Sequence, residues 1–129
     1  MIVICTGGRD FEDKNFVSLE LSKCLVKYGD WFQVFVGDSQ GVDKFVREWC
    51  EEYEVKYTVF NAQWNMHGKP AGPIRNQTMV DAAIHIAPTG KIIGLAFPGG
   101  RGTKHCHDYM KKRGIKVWNL SKTGSNTRF

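Results

Sequence analysis

The chain has 129 residues, 42% hydrophobic and 24% charged, which fits one globular domain and excludes disordered and fibrous classes. No apolar run approaches the roughly 20 residues of a membrane span, and the opening MIVICTGG is short and lacks the basic lead of a signal peptide, so no membrane partner is expected. Lys and Arg number 18 against 13 Asp and Glu, giving +5 and a pI near 9.1, a balance that favours nucleotide or nucleic-acid partners or serves solubility alone.

MIVICT (1–6) reads as a buried strand from its β-branched run, and GGRDFEDK as the loop that leaves it. Val17, Leu21, Cys24, Leu25 and Tyr28 recur at helical spacing, with Gly29 as the stop. FQVFVG (32–37) is a second strand with DSQG as its exit. Val42, Phe45, Val46, Trp49, Cys50 and Tyr53 form an amphipathic stripe. KYTVFN (56–61) is a third strand, followed by a long polar loop, AQWNMHGKPAG. Pro73 suits a first helical turn, ahead of Ile74, Met79, Ala82 and Ala83. KIIGLAF (91–97) is a fourth strand, a helix is expected from Thr103 to Arg113 with Gly114 as its cap, and IKVWNL is a fifth strand. The expectation is one domain over 1–120 and a flexible polar tail over 121–129.

Strands alternating with helices predict an α/β, doubly wound, Rossmann-like fold: a five-stranded parallel sheet with helices on both faces. Such folds bind ligands beyond the carboxyl ends of the strands. Each glycine-rich stretch lies at such an end: TGGRDF, GDSQGVD, NAQWNMHGKPAGP and PGGRGT. In PGGRGT, Gly99, Gly100 and Gly102 allow conformations closed to other residues and let the main chain approach a ligand closely. Thr103 is expected to cap the next helix, whose N–H groups and dipole then form an anion site. The alternative is a turn with no ligand.

Arg75 stands one turn into a helix that opens at the crevice, where it could grip a phosphate in bidentate fashion or balance Asp81. Arg9 and Lys69 are further anion candidates. Asp10, Asp38 and Asp43 could accept hydrogen bonds from ribose hydroxyls or hold a hydrated Mg²⁺, Asp43 being equally a first-turn helix charge. Trp64 could stack on a base or close its loop onto the core. His105, Cys106 and His107 point about 100° apart on a helix and cannot share one metal, so no metal site is expected. Cys5, Cys24, Cys50 and Cys106 contain no CxxC pair, which implies free thiols, mostly buried, and a reducing, cytoplasmic setting.

The pattern GGRDF, GD..GVD, W, GK.AGP.RN..M, AFPGGRGT, spanning about residues 6 to 103, resembles the SLOG superfamily, and within it the small single-domain YspA-like members, many of them phage-encoded. PGGRGT resembles the PGGxGT signature of the LOG-type phosphoribohydrolases, with Arg75 and Met79 in register with that group's arginine-bearing helix. The opening TGGRDF, with GDSQGVD and GPIRN, also resembles DprA. The resemblance implies a nucleotide, nucleotide-sugar or NAD-derived ligand, held by a sensor or sequestering protein, and a homodimer. The convergent loops and the resemblance together point to Gly7, Gly8, Arg9, Asp10, Gly37, Asp38, Ser39, Gly41, Lys69, Arg75, Asn76 and Pro98 through Thr103 (Pro98, Gly99, Gly100, Arg101, Gly102, Thr103) as ligand-binding residues. One departure bears on catalysis. The phosphoribohydrolases carry a glutamate three residues after the motif threonine, and this chain has Cys106 there. If hydrolysis of an N-glycosidic bond survives, Arg75 with Asp38 or Asp10 would have to carry it. A DprA-like nucleic-acid binder remains an alternative, encouraged by YMKKRGIK and KTGSNTR.

Overall fold

In the computed structural model, which describes residues 1–121, the chain runs β1 (Ile2–Thr6), α1 (Lys14–Tyr28), β2 (Gln33–Gly37), α2 (Val42–Glu52), β3 (Tyr57–Phe60), α3 (Trp64–His67), α4 (Ala71–Ile86), β4 (Ile92–Ala96), α5 (Arg101–Lys112) and β5 (Lys116–Asn119). Apart from Ser121, the expected tail lies outside the described residues. Asp13 accepts a hydrogen bond from the Phe16 N–H and so caps α1, and Gly29, at φ +62°, closes it. Gly114, at φ +85°, follows α5 in the same role.

The strands form one parallel sheet in the order β3-β2-β1-β4-β5. This is the doubly wound, Rossmann-like α/β arrangement. Side chains alternate between its two faces. Val3, Cys5, Val34, Val36, Ile93 and Leu95 pack under α1 and α2 against Val17, Leu21, Val46 and Trp49. Ile2, Ile4, Phe35 and Ile92 pack under α4 and α5 against Met79, Val80, Ala83, Cys106 and Met110. Because both faces are covered, the strands read as continuous apolar runs. Gly94 leaves the notch that Met110 fills, and a Cβ there would lie 2.6 Å from the Met110 sulfur. All four cysteines are buried and none is in a disulfide.

The chain steps outward from β1 to β3, then returns through α4 to place β4 on the other side of β1. The loops after β1 and β4 therefore leave the sheet side by side and then diverge, which opens a crevice between them.

Three boundaries differ from the sequence expectation. The polar loop after β3 contains a one-turn helix, α3, which Gly68 ends at φ +64°. The next helix, α4, starts two residues before Pro73, which still lies in the first turn, where its missing N–H costs nothing. Helix α5 starts at Arg101 and not at Thr103, because the Lys104 N–H already bonds the Gly100 carbonyl at 3.0 Å.

Candidate functional site

The loop ends meet main chain to main chain. The Gly8 N–H donates to the Pro98 carbonyl at 2.8 Å, and the Gly8 carbonyl accepts from the Val42 N–H at 3.2 Å. This ties the loop after β1 to the loops after β4 and β2. A Cβ on Gly7 would collide with the Val42 side chain, and one on Gly99 with Thr103 Oγ1 and the Gly8 nitrogen. Gly41 sits at φ +69° against the Gly8 carbonyl and the Arg9 backbone, so it needs glycine for both reasons.

The three glycines of PGGRGT do different things. None has a positive φ. Gly99 is required by close approach. Gly100 and Gly102 face open space, where an added Cβ would meet nothing within 4 Å. Thr103 is likewise not the cap. Gly100 holds the N-cap position, no side chain caps α5, and Thr103 Oγ1 lies against Gly99. The N–H groups of Arg101, Gly102 and Thr103 precede the first intrahelical bond, and Gly100 and Gly102 place no side chain beside them.

The floor is a charged network between β2 and α4. Arg75 Nη1 donates to Asp38 Oδ1 at 2.7 Å and to the Phe60 carbonyl at 3.4 Å, and its Nε donates to Asn76 Oδ1 at 2.8 Å. Asn76 Nδ2 reaches the Gly102 carbonyl at 3.3 Å and so links α4 to the first turn of α5. Arg75 is thus already held on two of its nitrogens, and the bidentate phosphate grip expected from sequence would compete with Asp38. Asp81, the other expected partner, instead pairs with Arg113 and Tyr109. Arg47 Nη1 donates to the Gly37 and Ser39 carbonyls at 3.0 Å each, which holds the loop after β2.

Asp43 is buried in this floor, with Oδ2 accepting from the Ser39 N–H at 3.2 Å. Burial raises its carboxyl above the usual range, against the opposing pull of Arg75, the Ser39 N–H and Arg47. Cys106 is fully buried beneath the site, and burial pushes its thiol up to about 12. It faces the core with Met110.

A pocket of about 610 Å³ lies between these parts. Of the residues singled out from sequence, Gly7, Gly8, Arg9, Asp10, Gly37, Ser39, Trp64, Arg75, Asn76 and Pro98 through Thr103 line it. Asp38, Gly41 and Lys69 do not. Asp38 turns to Arg75 and to the Ala62 N–H at 3.3 Å, Gly41 packs behind the Gly7–Gly8 turn, and Lys69 is exposed beyond α3. Phe11, Asp43, Gly72, Pro73 and Met79 also line the pocket. Met79 was read from sequence as a helix-core position, and Asp43 as one of three loop carboxylates; nothing in their spacing separates pocket wall from core. Trp64 is half exposed, and a Cβ added at Gly72 would lie 3.6 Å from its ring.

Among the described residues no three His, Cys, Asp or Glu side chains cluster closely enough to hold a metal. His107 lies between Asp108 and Asn119, at 3.0 and 3.1 Å. No described helix is long and apolar enough to cross a membrane.

The model of the YspA, cpYpsA-related SLOG family matches residues 1–67, which carry the loops after β1 and β2. The Gene 61 protein of Mycobacterium phage D29 is 35% identical over 125 residues, covering 92% of this chain and 94% of that protein. The chain belongs to the YspA, cpYpsA-related SLOG family.

Proposed function

We propose that this SLOG-family chain binds a phosphate-bearing, nucleotide-type ligand in the pocket at the carboxyl ends of β1, β2 and β4, and acts as a sensor or sequestering protein. The observation that carries this reading is the uncapped start of α5. Three N–H groups emerge there beside two glycines that leave the approach open. Helix N-termini of this kind hold phosphates through direct N–H bonds, with the helix dipole adding about 0.3–1 kcal/mol. Arg9 and Arg101, both exposed, add positive charge at the rim. The pocket volume falls within the roughly 300–1,000 Å³ usual for small-molecule sites.

Hydrolysis by the phosphoribohydrolase route is less well supported. The position of that group's glutamate holds a buried, protonated thiol, which cannot offer a negative charge to an oxocarbenium-like centre.

The test is to denature the purified protein, identify released small molecules by mass spectrometry, and measure thermal shifts against a nucleotide panel. A ligand at 100 times its Kd adds about 2.7 kcal/mol, a shift on the order of 8 °C for a domain of this size. A hit from a phosphate-bearing nucleotide is expected. No shift from any nucleotide at millimolar concentration would overturn the reading.

A further inference from the structure

Asp43 occupies an unusual position. It is 5% exposed yet lines the pocket. One oxygen is held by the Ser39 N–H at 3.2 Å, and among the described residues Oδ1 has no hydrogen-bond partner. Oδ1 is not among the fully buried polar atoms left without a partner, and Asp43 lines the pocket, so this oxygen can accept from a donor that enters there. The other two carboxylates near the crevice do not compete for this role. Asp38 is engaged by Arg75 and does not line the pocket, and Asp10 is exposed at the rim.

The pocket is electrically divided. The α5 N-terminus and Arg101 attract an anion at one end, whereas the other end holds the Asp43 carboxylate beside Arg75. The two ends follow β4 and β2, with β1 between them, and two strand spacings are about 10 Å. That is about the span of a sugar phosphate, so a phosphate seated on α5 carries its sugar toward Asp43. The group that arrives there must donate, because a carboxylate only accepts.

We propose that Asp43 reads the ribose of the bound nucleotide by accepting hydrogen bonds from its 2′- and 3′-hydroxyls, so that the pocket selects ribonucleotides over their 2′-deoxy counterparts. This inference rests on the binding reading above. Arg75 and Arg47 pull the carboxyl toward its charged form against the larger effect of burial, and Gly37 leaves the space into which Arg75 Nη1 and Asp43 Oδ2 both fit.

The experiment is calorimetric titration of the full chain with ribonucleoside monophosphates and their 2′-deoxy forms, and with ribose 5-phosphate and 2-deoxyribose 5-phosphate. The ribo forms should bind about 10- to 100-fold more tightly, as for one hydrogen bond to a charged group. Asp43→Ala should bring that ratio to within about threefold of unity, and Asp43→Asn, which keeps shape but loses charge, should fall between. Melting curves of both variants establish that they fold, and the wild-type comparison needs no variant. Equal binding of the ribo and deoxy series by the wild type overturns this inference and leaves the binding reading standing. A ratio that survives in Asp43→Ala overturns the role of Asp43. Absence of binding in both series overturns both readings.

Discussion

Arg75 Nη1 lies 2.7 Å from Asp38 Oδ1, and this pair joins the end of β2 to the first turns of α4 across the floor of the pocket. The Arg75 side chain is 10% exposed and that of Asp38 29%. Screening by water is limited at the arginine, so the pair should contribute to stability more than a surface ion pair does. Asp38→Ala, Arg75→Ala and the double variant should show a coupling energy of roughly 0.5–3 kcal/mol in urea unfolding. Simple additivity would show that the two side chains act independently.

The glycines of PGGRGT separate packing from ligand access. Gly99→Ala should destabilise the protein by about 1–3 kcal/mol, because the new methyl meets Thr103 Oγ1 and the Gly8 nitrogen. Gly102→Ala meets nothing and sits in the first turn of α5, so stability should hold or rise by up to about 1 kcal/mol. Its methyl would stand where the N–H groups emerge, so nucleotide affinity should fall. Denaturation midpoints and thermal shifts with ligand, measured on both variants, check this. Unchanged affinity in Gly102→Ala would place the ligand elsewhere.

Asp43 should leave a signature in the pH dependence of stability. Its folded carboxyl is raised above the unfolded value of 3.8 by burial, with Asp38 adding to the rise and Arg75, the Ser39 N–H and Arg47 opposing it. In the window between the two values the folded state holds more proton than the unfolded state, so stability from this group falls as pH rises through the folded value. Asp43→Asn should therefore be at least as stable as the wild type at pH 7. That advantage should shrink as pH falls toward 4. Urea midpoints between pH 4 and pH 7 give the test, and a variant less stable at pH 7 than at pH 4, relative to wild type, would contradict the sign.

The thiols should be inert in the folded protein. Burial raises Cys5 well above its ordinary value and pushes Cys50 and Cys106 up to about 12. Cys24 is fully buried. A disulfide reagent at pH 8 should find no fast-reacting thiol in the native chain and four after denaturation. One rapidly modified equivalent, mapped to Cys106, would show that the position reaches the pocket in solution.

Much of the architecture is local and so legible in the sequence. The β-branched run 2–6, the apolar run 92–96 and the stripe from Val42 to Trp49 state their elements directly, because side-chain period follows backbone geometry. Glycines at the strand ends mark the crevice for the same reason. Helix α3 was not legible, since one turn is too short to show a period. The start of α5 was misplaced because Thr103 looks like a cap, whereas the Gly100 carbonyl begins the helix.

The sequence by itself determined the alternating strands and helices, and hence a parallel sheet with loops gathered at one end. Only the tertiary structure decided what each loop residue does there. Asp38 and Asp43 stand five residues apart, in the loop after β2 and the first turn of α2, yet one turns to Arg75 and the other lines the pocket. Gly99 and Gly100 are neighbours, yet one is pressed against Gly8 and the other opens to solvent. These roles depend on β4 lying beside β1, which brings together segments about ninety residues apart. Local period carries no record of that pairing, because it arises only when the sheet closes its order.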